Sequence, residues 1–423
     1  MSFVQSVVQK IKTYTSVLGP GLTTGAADDD PSGIATYSQA AAHHGYTTLW
    51  LAVYTFPFMG LIQEFCARIG IVSKRGLAAN IRAQYGIRTL TILCVLLFAA
   101  NTLNIAADLA AMSAATALLF PSINQLLFIV LFGAVIAFLE VQLPYKRYAQ
   151  VLKYFTLALF SYVLTAFAVD VDWTLALVHS IIPSVSFDAE FMLLLCAILG
   201  TTISPYLFFW QTAQEVEERG ESVEGMESAD AAEEPELLSK MRVDVWSGMA
   251  FSNIVMFFIM LTCAATLHHY GISEITTAES AAEALRPIAG NFAYLLFTIG
   301  IIGTGMLAIP ILAGSSAYAC AEAYRWKYGL NKRFSEAYAF YGVIVLSICL
   351  GALLNGFGFD PMQLLFYAAV VNGIIAPVII FFIVRLAATL PRHATPFWGN
   401  IAGYLLFILM TCVGLSALWV LIV

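Results

Sequence analysis

The chain has 423 residues, of which 60% are hydrophobic and only 11% charged, with a net charge of −7 and a mean hydropathy of +0.82. An ordinary soluble domain carries about 25% charged residues, so that class is excluded, and the acidic balance offers no basic surface for a nucleic-acid partner. An all-α polytopic membrane protein is expected, because about 20 apolar helical residues span a bilayer and the apolar runs here are that long.

Eleven such runs follow in chain order, at about 14–42, 46–73, 88–119, 121–143, 148–170, 190–213, 242–268, 288–323, 335–354, 360–388 and 397–422. The run at 288–323 is long enough for one helix plus an interfacial turn. With the N-terminus placed in the cytoplasm, only Arg286 among the 20 basic residues falls outside. This obeys the positive-inside rule and puts the C-terminus on the extracellular side of the plasma membrane. Lys10 and Lys12 precede a first run too long and Gly-rich for a cleavable signal, so the first helix is expected to act as its own insertion signal. The acidic surplus concentrates in residues 214–238, where ten Asp and Glu face a lone Arg219. That segment reads as a solvated cytoplasmic linker. Cys66, Cys94, Cys196, Cys263, Cys320, Cys349 and Cys412 are scattered through apolar runs without a CxxC pair and read as packing residues.

Two runs are interrupted. The first contains Gly25-Ala26-Ala27-Asp28-Asp29-Asp30-Pro31-Ser32-Gly33. Pro31 removes a helix hydrogen bond and disfavours helical geometry at Asp30. A carboxylate at mid-membrane is costly and marks function by default. Asp30, next to the proline, is the expected cation ligand, with Asp28 and Asp29 turned to water or to partner helices. The second run contains Gly200-Thr201-Thr202-Ile203-Ser204-Pro205-Tyr206. Pro205 frees the Thr201 carbonyl four residues back, although Ser and Thr also commonly bond their own helix. Broken helices in matching places of two halves point to a transporter's substrate site. Runs 1–5 (14–170) and 6–10 (190–388) form two such halves of opposite orientation, with 397–422 outside the repeat, all in a single membrane domain. Oxygen donors at both breaks suggest a hard cation as cargo. Glu64, Asp108, Glu140, Asp244, Glu322 and Asn372 are the other polar groups inside spans. Asp108 suits either a cation path or a helix hydrogen bond. The six histidines fall in loops or at helix ends, which leaves none for a mid-membrane proton relay.

Val17-Leu18-Gly19-Pro20-Gly21, Asp30-Pro31-Ser32-Gly33 and Gly45-Tyr46 together resemble the opening of the Nramp divalent-metal transporters, whose first-helix motif is Asp-Pro-Gly-Asn. The resemblance continues through Gln63 with Ala67-Arg68-Ile69-Gly70-Ile71-Val72, Ala107-Asp108-Leu109-Ala110, Ser204-Pro205-Tyr206 where that family has Met-Pro-His, and Asp360-Pro361. It implies a LeuT-like fold of inverted five-helix repeats and a divalent metal as substrate, with no resident cofactor and no enzymatic activity. The departures are specific. The family's Asn stands here as Gly33, its Ala as Thr201, its Met as Ser204 and its His as Tyr206. The acid expected one turn past Asp108 is Ala111, and the helix 10 Gln becomes Ala369, with Asn372 a turn away as its substitute. A thioether selects soft metals, so its replacement by a hydroxyl suits Mg²⁺, which keeps its waters. This pattern resembles the Nramp-related magnesium transporters. It implies Mg²⁺ uptake, with Mn²⁺ also carried, by alternating access without proton coupling, at a site of Asp30, Gly33, Thr201, Ser204, Tyr206 and Asn372. A monomer is the expected assembly. Two other readings stay open: a proton-coupled transition-metal carrier, which needs a soft ligand near the breaks, and a sodium-coupled organic-solute carrier of similar architecture.

Overall fold

The computed structural model describes residues 19–143, 158–218, 234–391 and 397–422. These segments are helices joined by loops and turns, with no strand among the described residues. In order the helices are α1 (Pro20–Asp28), α2 (Pro31–His44), α3 (Trp50–Ser73), α4 (Leu77–Leu119), α5 (Gln125–Gln142), α6 (Phe160–Ala168) and α7 (Trp173–Ile181). They continue as α8 (Ala189–Thr202), α9 (Pro205–Glu217), α10 (Glu234–Cys263), α11 (Ala293–Tyr324), α12 (Tyr338–Leu354), α13 (Pro361–Ala387) and α14 (Phe397–Ile422).

Both interruptions expected from the sequence are real helix breaks. Asp29 leaves the α-helical region at the end of α1 (φ −81°, ψ 54°), and Asp30 is extended (φ −70°, ψ 170°) before Pro31 restarts the chain as α2. Ile203 (φ −115°, ψ 60°) and the extended Ser204 do the same between α8 and α9. Each restart has proline in its first turn, where a missing N–H costs nothing. The two breaks lie at the centre of the molecule. Of the most apolar window in α8–α9, 94% is buried, against 28% in α5 and in α14. Leu127, Phe138, Leu415 and Trp419 on those outer helices are exposed, as a lipid-facing rim requires. α11 packs along α4, α13 along α8, and α10 along α1.

Several boundaries differ from the sequence reading. Among the described residues, eight helices are long and apolar enough to cross a membrane, or nine when the bent pair Pro31–Thr48 and Trp50–Ser73 counts as one span. The expected count of eleven is therefore not confirmed among the described residues. Residues 148–157 of the fifth expected run lie outside the described residues, and the aspartates divide the first run into two pieces each too short to span. The third run starts at Leu77, not 88, and bends at Gly86, whose φ of +83° suits glycine. α7 was not anticipated. It has nine residues, too few to register as a span, and Asp172 caps it by accepting from Leu175 N at 2.9 Å. The eighth run is one continuous helix, α11, preceded by short turns.

The acidic linker is also shorter than 214–238, because α9 extends to Glu217 and α10 begins at Glu234; residues 219–233 lie outside the described residues. Glu217 is not a solvated linker charge. Its carboxylate accepts from Leu330 N (3.1 Å), Asn331 N (2.7 Å) and the Tyr318 hydroxyl, tying the end of α9 to the end of α11. None of the seven cysteines is in a disulfide, and Cys66, Cys94, Cys196 and Cys263 are buried.

Candidate functional site

α1 and α8 end where the helices break, so the carbonyl ends of two half-helices converge on one region. The last four carbonyls of a helix lack intrahelical partners and carry the negative end of its dipole. A cation is favoured beside them. The partners these carbonyls do have come from the site residues themselves. Tyr206 OH donates to Ala27 O at 3.1 Å, from α9 to the end of α1. Ser204 Oγ donates to Gly200 O (2.7 Å) and Thr201 O (2.8 Å). The Thr201 carbonyl that Pro205 was expected to free is thus held by the serine next to it, which leaves both oxygens directed into one polar turn.

Asp30 is the N-cap of α2. Its Oδ1 accepts from Gly33 N at 2.7 Å. An ionised carboxylate has about four lone-pair positions, so this bond uses only part of its capacity. Gly33 packs against the second break: a Cβ there would lie 3.3 Å from Thr201 Oγ1 and Tyr37 Cε2 and 3.4 Å from Asp28 O. Ser32 Oγ and Thr201 Oγ1 are 3.4 Å apart, and Tyr37 OH is 3.1 Å from Thr202 Oγ1. Asp30, Gly33, Thr201, Ser204 and Tyr206 are therefore brought together at the meeting of the two breaks. All five are buried.

Asn372 sits on α13, and its Oδ1 accepts from Asn104 Nδ2 on α4 at 3.1 Å. Both asparagines are buried, and Asn104 lies one turn before Asp108. The two possibilities raised for Asp108 are partly resolved, since neither of its carboxylate oxygens has a hydrogen-bond partner among the described residues. Asp28 and Asp29 turn to a partner helix: Ser252 Oγ of α10 is 2.6 Å from Asp28 Oδ2 and 3.3 Å from Asp29 Oδ1.

Sequence reasoning gave no role to Ser252, Asn104 or Tyr37. All three are polar residues inside apolar helices, and that was the only signal they offered. No group of three or more His, Cys, Asp or Glu is arranged to hold a metal among the described residues. One sulfur is near: Met256 Sδ of α10 is 3.9 Å from Thr202 Oγ1.

Residues 21–420 match the family described as natural resistance-associated macrophage protein-like, or Nramp. The chain is 28% identical over 317 residues to the divalent metal cation transporter MntH of Yersinia pestis (strain Pestoides F), covering 73% of each chain. A crystal structure of the Eremococcus coleocola manganese transporter superposes with a TM-score of 0.74 at 17% identity, covering 96% of this chain and 87% of that one. The inward-facing structure of Mhp1 superposes with a TM-score of 0.55 at 15% identity, covering 95% and 91%. The fold is thus the LeuT-like transporter fold.

Proposed function

Starting from the premise that this chain belongs to the Nramp family, we propose that it is a secondary transporter of divalent cations that carries mainly Mg²⁺ and also Mn²⁺ by alternating access. Asp30 supplies the charge. Thr201 and Ser204 supply oxygens, Tyr206 fixes the end of α1, Gly33 lets the two breaks meet closely, and Asn372 adds an amide oxygen from α13.

One observation carries this reading. Where a soft thioether would select transition metals, the turn holds Ser204, whose hydroxyl bridges the Gly200 and Thr201 carbonyls. Hydroxyl and carbonyl oxygens beside the capped Asp30 carboxylate suit a hard ion that dehydrates reluctantly and keeps several waters. Uptake then needs no proton partner. A membrane potential of about 100 mV contributes about 2.3 kcal/mol per charge. For a divalent ion that is about 4.6 kcal/mol, roughly a 2,000-fold gradient.

Calorimetric titration of the purified protein with Mg²⁺, Mn²⁺ and Ca²⁺, with Asp30→Ala as control, tests the cargo. Failure of Mg²⁺ to bind or to compete with Mn²⁺ would overturn it. In proteoliposomes the uncoupled carrier should accumulate ion with potential and leave the lumenal pH unchanged. Metal-driven acidification that disappears in Asp30→Ala would overturn that part. The transition-metal reading is favoured by one contact, Met256 Sδ beside Thr202, and the Met256→Leu variant below separates the two.

A further inference from the structure

α10 grips α1 along its whole length. Asp244 Oδ1 accepts from Gly19 N (2.7 Å) and Leu22 N (3.1 Å), and its Oδ2 accepts from Gly21 N (2.6 Å). One turn on, Gly248 meets Gly21 and Gly25 so closely that a Cβ on any of the three would overlap backbone. A further turn on, Ser252 Oγ bonds Asp28 and reaches Asp29. Residues at four-residue spacing share one helix face, so Asp244, Gly248 and Ser252 form a single stripe that holds the start, middle and end of α1.

α1 depends on this stripe. It has nine residues and no side-chain cap of its own, and a helix that short is not stable alone. Its first N–H groups, which have no intrahelical partner, go to Asp244 instead. The two ends are held unequally. The C-terminal end is fixed by Ser252, by Tyr206 and by the chain running on into α2. Among the described residues the hydrogen bonds that hold the N-terminal end come from the Asp244 side chain, beside the close backbone contact of Gly21 with Val245, and the Glu218 carboxylate is near: a Cβ at Gly19 would lie 3.3 Å from Glu218 Oε2 and 3.6 Å from Asp244 Oδ2. Beneath α1 lies α9, where Gln211 Oε1 accepts from Thr24 Oγ1 at 2.6 Å and Gln211 is fully buried.

We propose that Asp244 and Ser252 are positioning residues of the transport cycle: Ser252 orients the aspartate run beside the ion, and Asp244 latches the N-terminal end of α1 onto α10, so that its release uncovers the face of α9 carrying Gln211. The hinge is the non-helical pair Asp29 and Asp30, which needs no new break when α1 lifts.

The test places Gln211→Cys in a background lacking the exposed thiols Cys349 and Cys412 and measures its reaction with a charged methanethiosulfonate in lipid nanodiscs. Adding Asp244→Asn should speed labelling at least tenfold. Asp244→Glu, which keeps the charge but displaces the carboxylate, should do the same and serves where the Asn variant does not fold. A gain below tenfold, or an equal gain from Asp360→Asn at the α13 cap (Gln363 N to Asp360 Oδ1, 3.0 Å), overturns the latch. Ser252→Ala should leave labelling within twofold while raising the Mn²⁺ concentration for half-maximal uptake at least threefold at an unchanged maximal rate. No change in that concentration, or a fall in maximal rate alone, overturns the positioning role. Labelling does not depend on which ion is carried, so the latch stands or falls separately from the Mg²⁺ reading.

Discussion

Gly33→Ala probes the space at the first break directly. The new methyl would sit 3.3 Å from Thr201 Oγ1 and Tyr37 Cε2 and 3.4 Å from Asp28 O. Those separations need the neighbours to move by only a few tenths of an ångström, so the protein tolerates it. Ala also favours a helix over Gly by about 1 kcal/mol, which offsets mild overpacking of about 1 kcal/mol or more. Stability should change little. The neighbours that must give belong to the two breaks, so the methyl pushes the Thr201 hydroxyl and the Asp28 carbonyl away from each other. Misplacing one bond to a charged group is worth about 1.5–3 kcal/mol, a loss of roughly ten- to 150-fold in affinity. Mg²⁺ demands near-ideal octahedral geometry and should lose the larger share. Calorimetry should therefore show the Mg²⁺ dissociation constant rising at least tenfold more than that of Mn²⁺. Equal losses for the two ions would refute the reasoning, because crowding alone does not distinguish them.

Three further outcomes follow from the geometry. Asp30→Asn should keep the cap on Gly33 N, since Asn caps as well as Asp, yet lose at least 100-fold in divalent-ion binding, consistent with about 3–5 kcal/mol for removing one partner of a buried charge pair; a melting temperature near wild type with binding retained would refute the ligand role. Met256→Leu, which deletes the sulfur 3.9 Å from Thr202 Oγ1, should leave Mg²⁺ and Mn²⁺ uptake within twofold, whereas a selective loss of Mn²⁺ or Cd²⁺ uptake would establish the soft-metal reading. Gly200→Ala would drive a Cβ into the backbone of Ala369 and Gly373, so α8 and α13 must separate; melting followed by fluorescence-detected size exclusion should fall by at least about 5 °C, and an unchanged midpoint would show that the two helices pack more loosely than this.

The sequence carried the breaks because proline and carboxylates are local signals: Pro31 and Pro205 stop a helix whatever surrounds them, and three aspartates in an apolar run have no cheap alternative explanation. It carried less about the spans. Length and hydropathy cannot register α7, which is capped by Asp172 but only nine residues long, nor can they reveal that Gln214–Glu217 remains helical when acidic residues continue beyond it. The partners of the site were the least legible part. Asp244 is visible as a polar residue inside a span, but its three acceptor bonds reach 222 to 225 residues back along the chain.

Glycine shows the same limit. Gly21, Gly25 and Gly248 look alike in the sequence, yet they are one contact, where two backbones meet with no room for a side chain. Such contacts are defined by pairs of residues, and a one-dimensional pattern gives each member separately. The exception is a stripe. An acid, a glycine and a hydroxyl at 244, 248 and 252 share one face of an otherwise apolar helix, and that spacing alone marks a surface that receives backbone and polar groups rather than lipid. The two breaks could therefore be read from proline and aspartate alone. The helix face that packs on α1 was present as a periodicity whose partner, a nine-residue helix ending in aspartates, only the fold supplies.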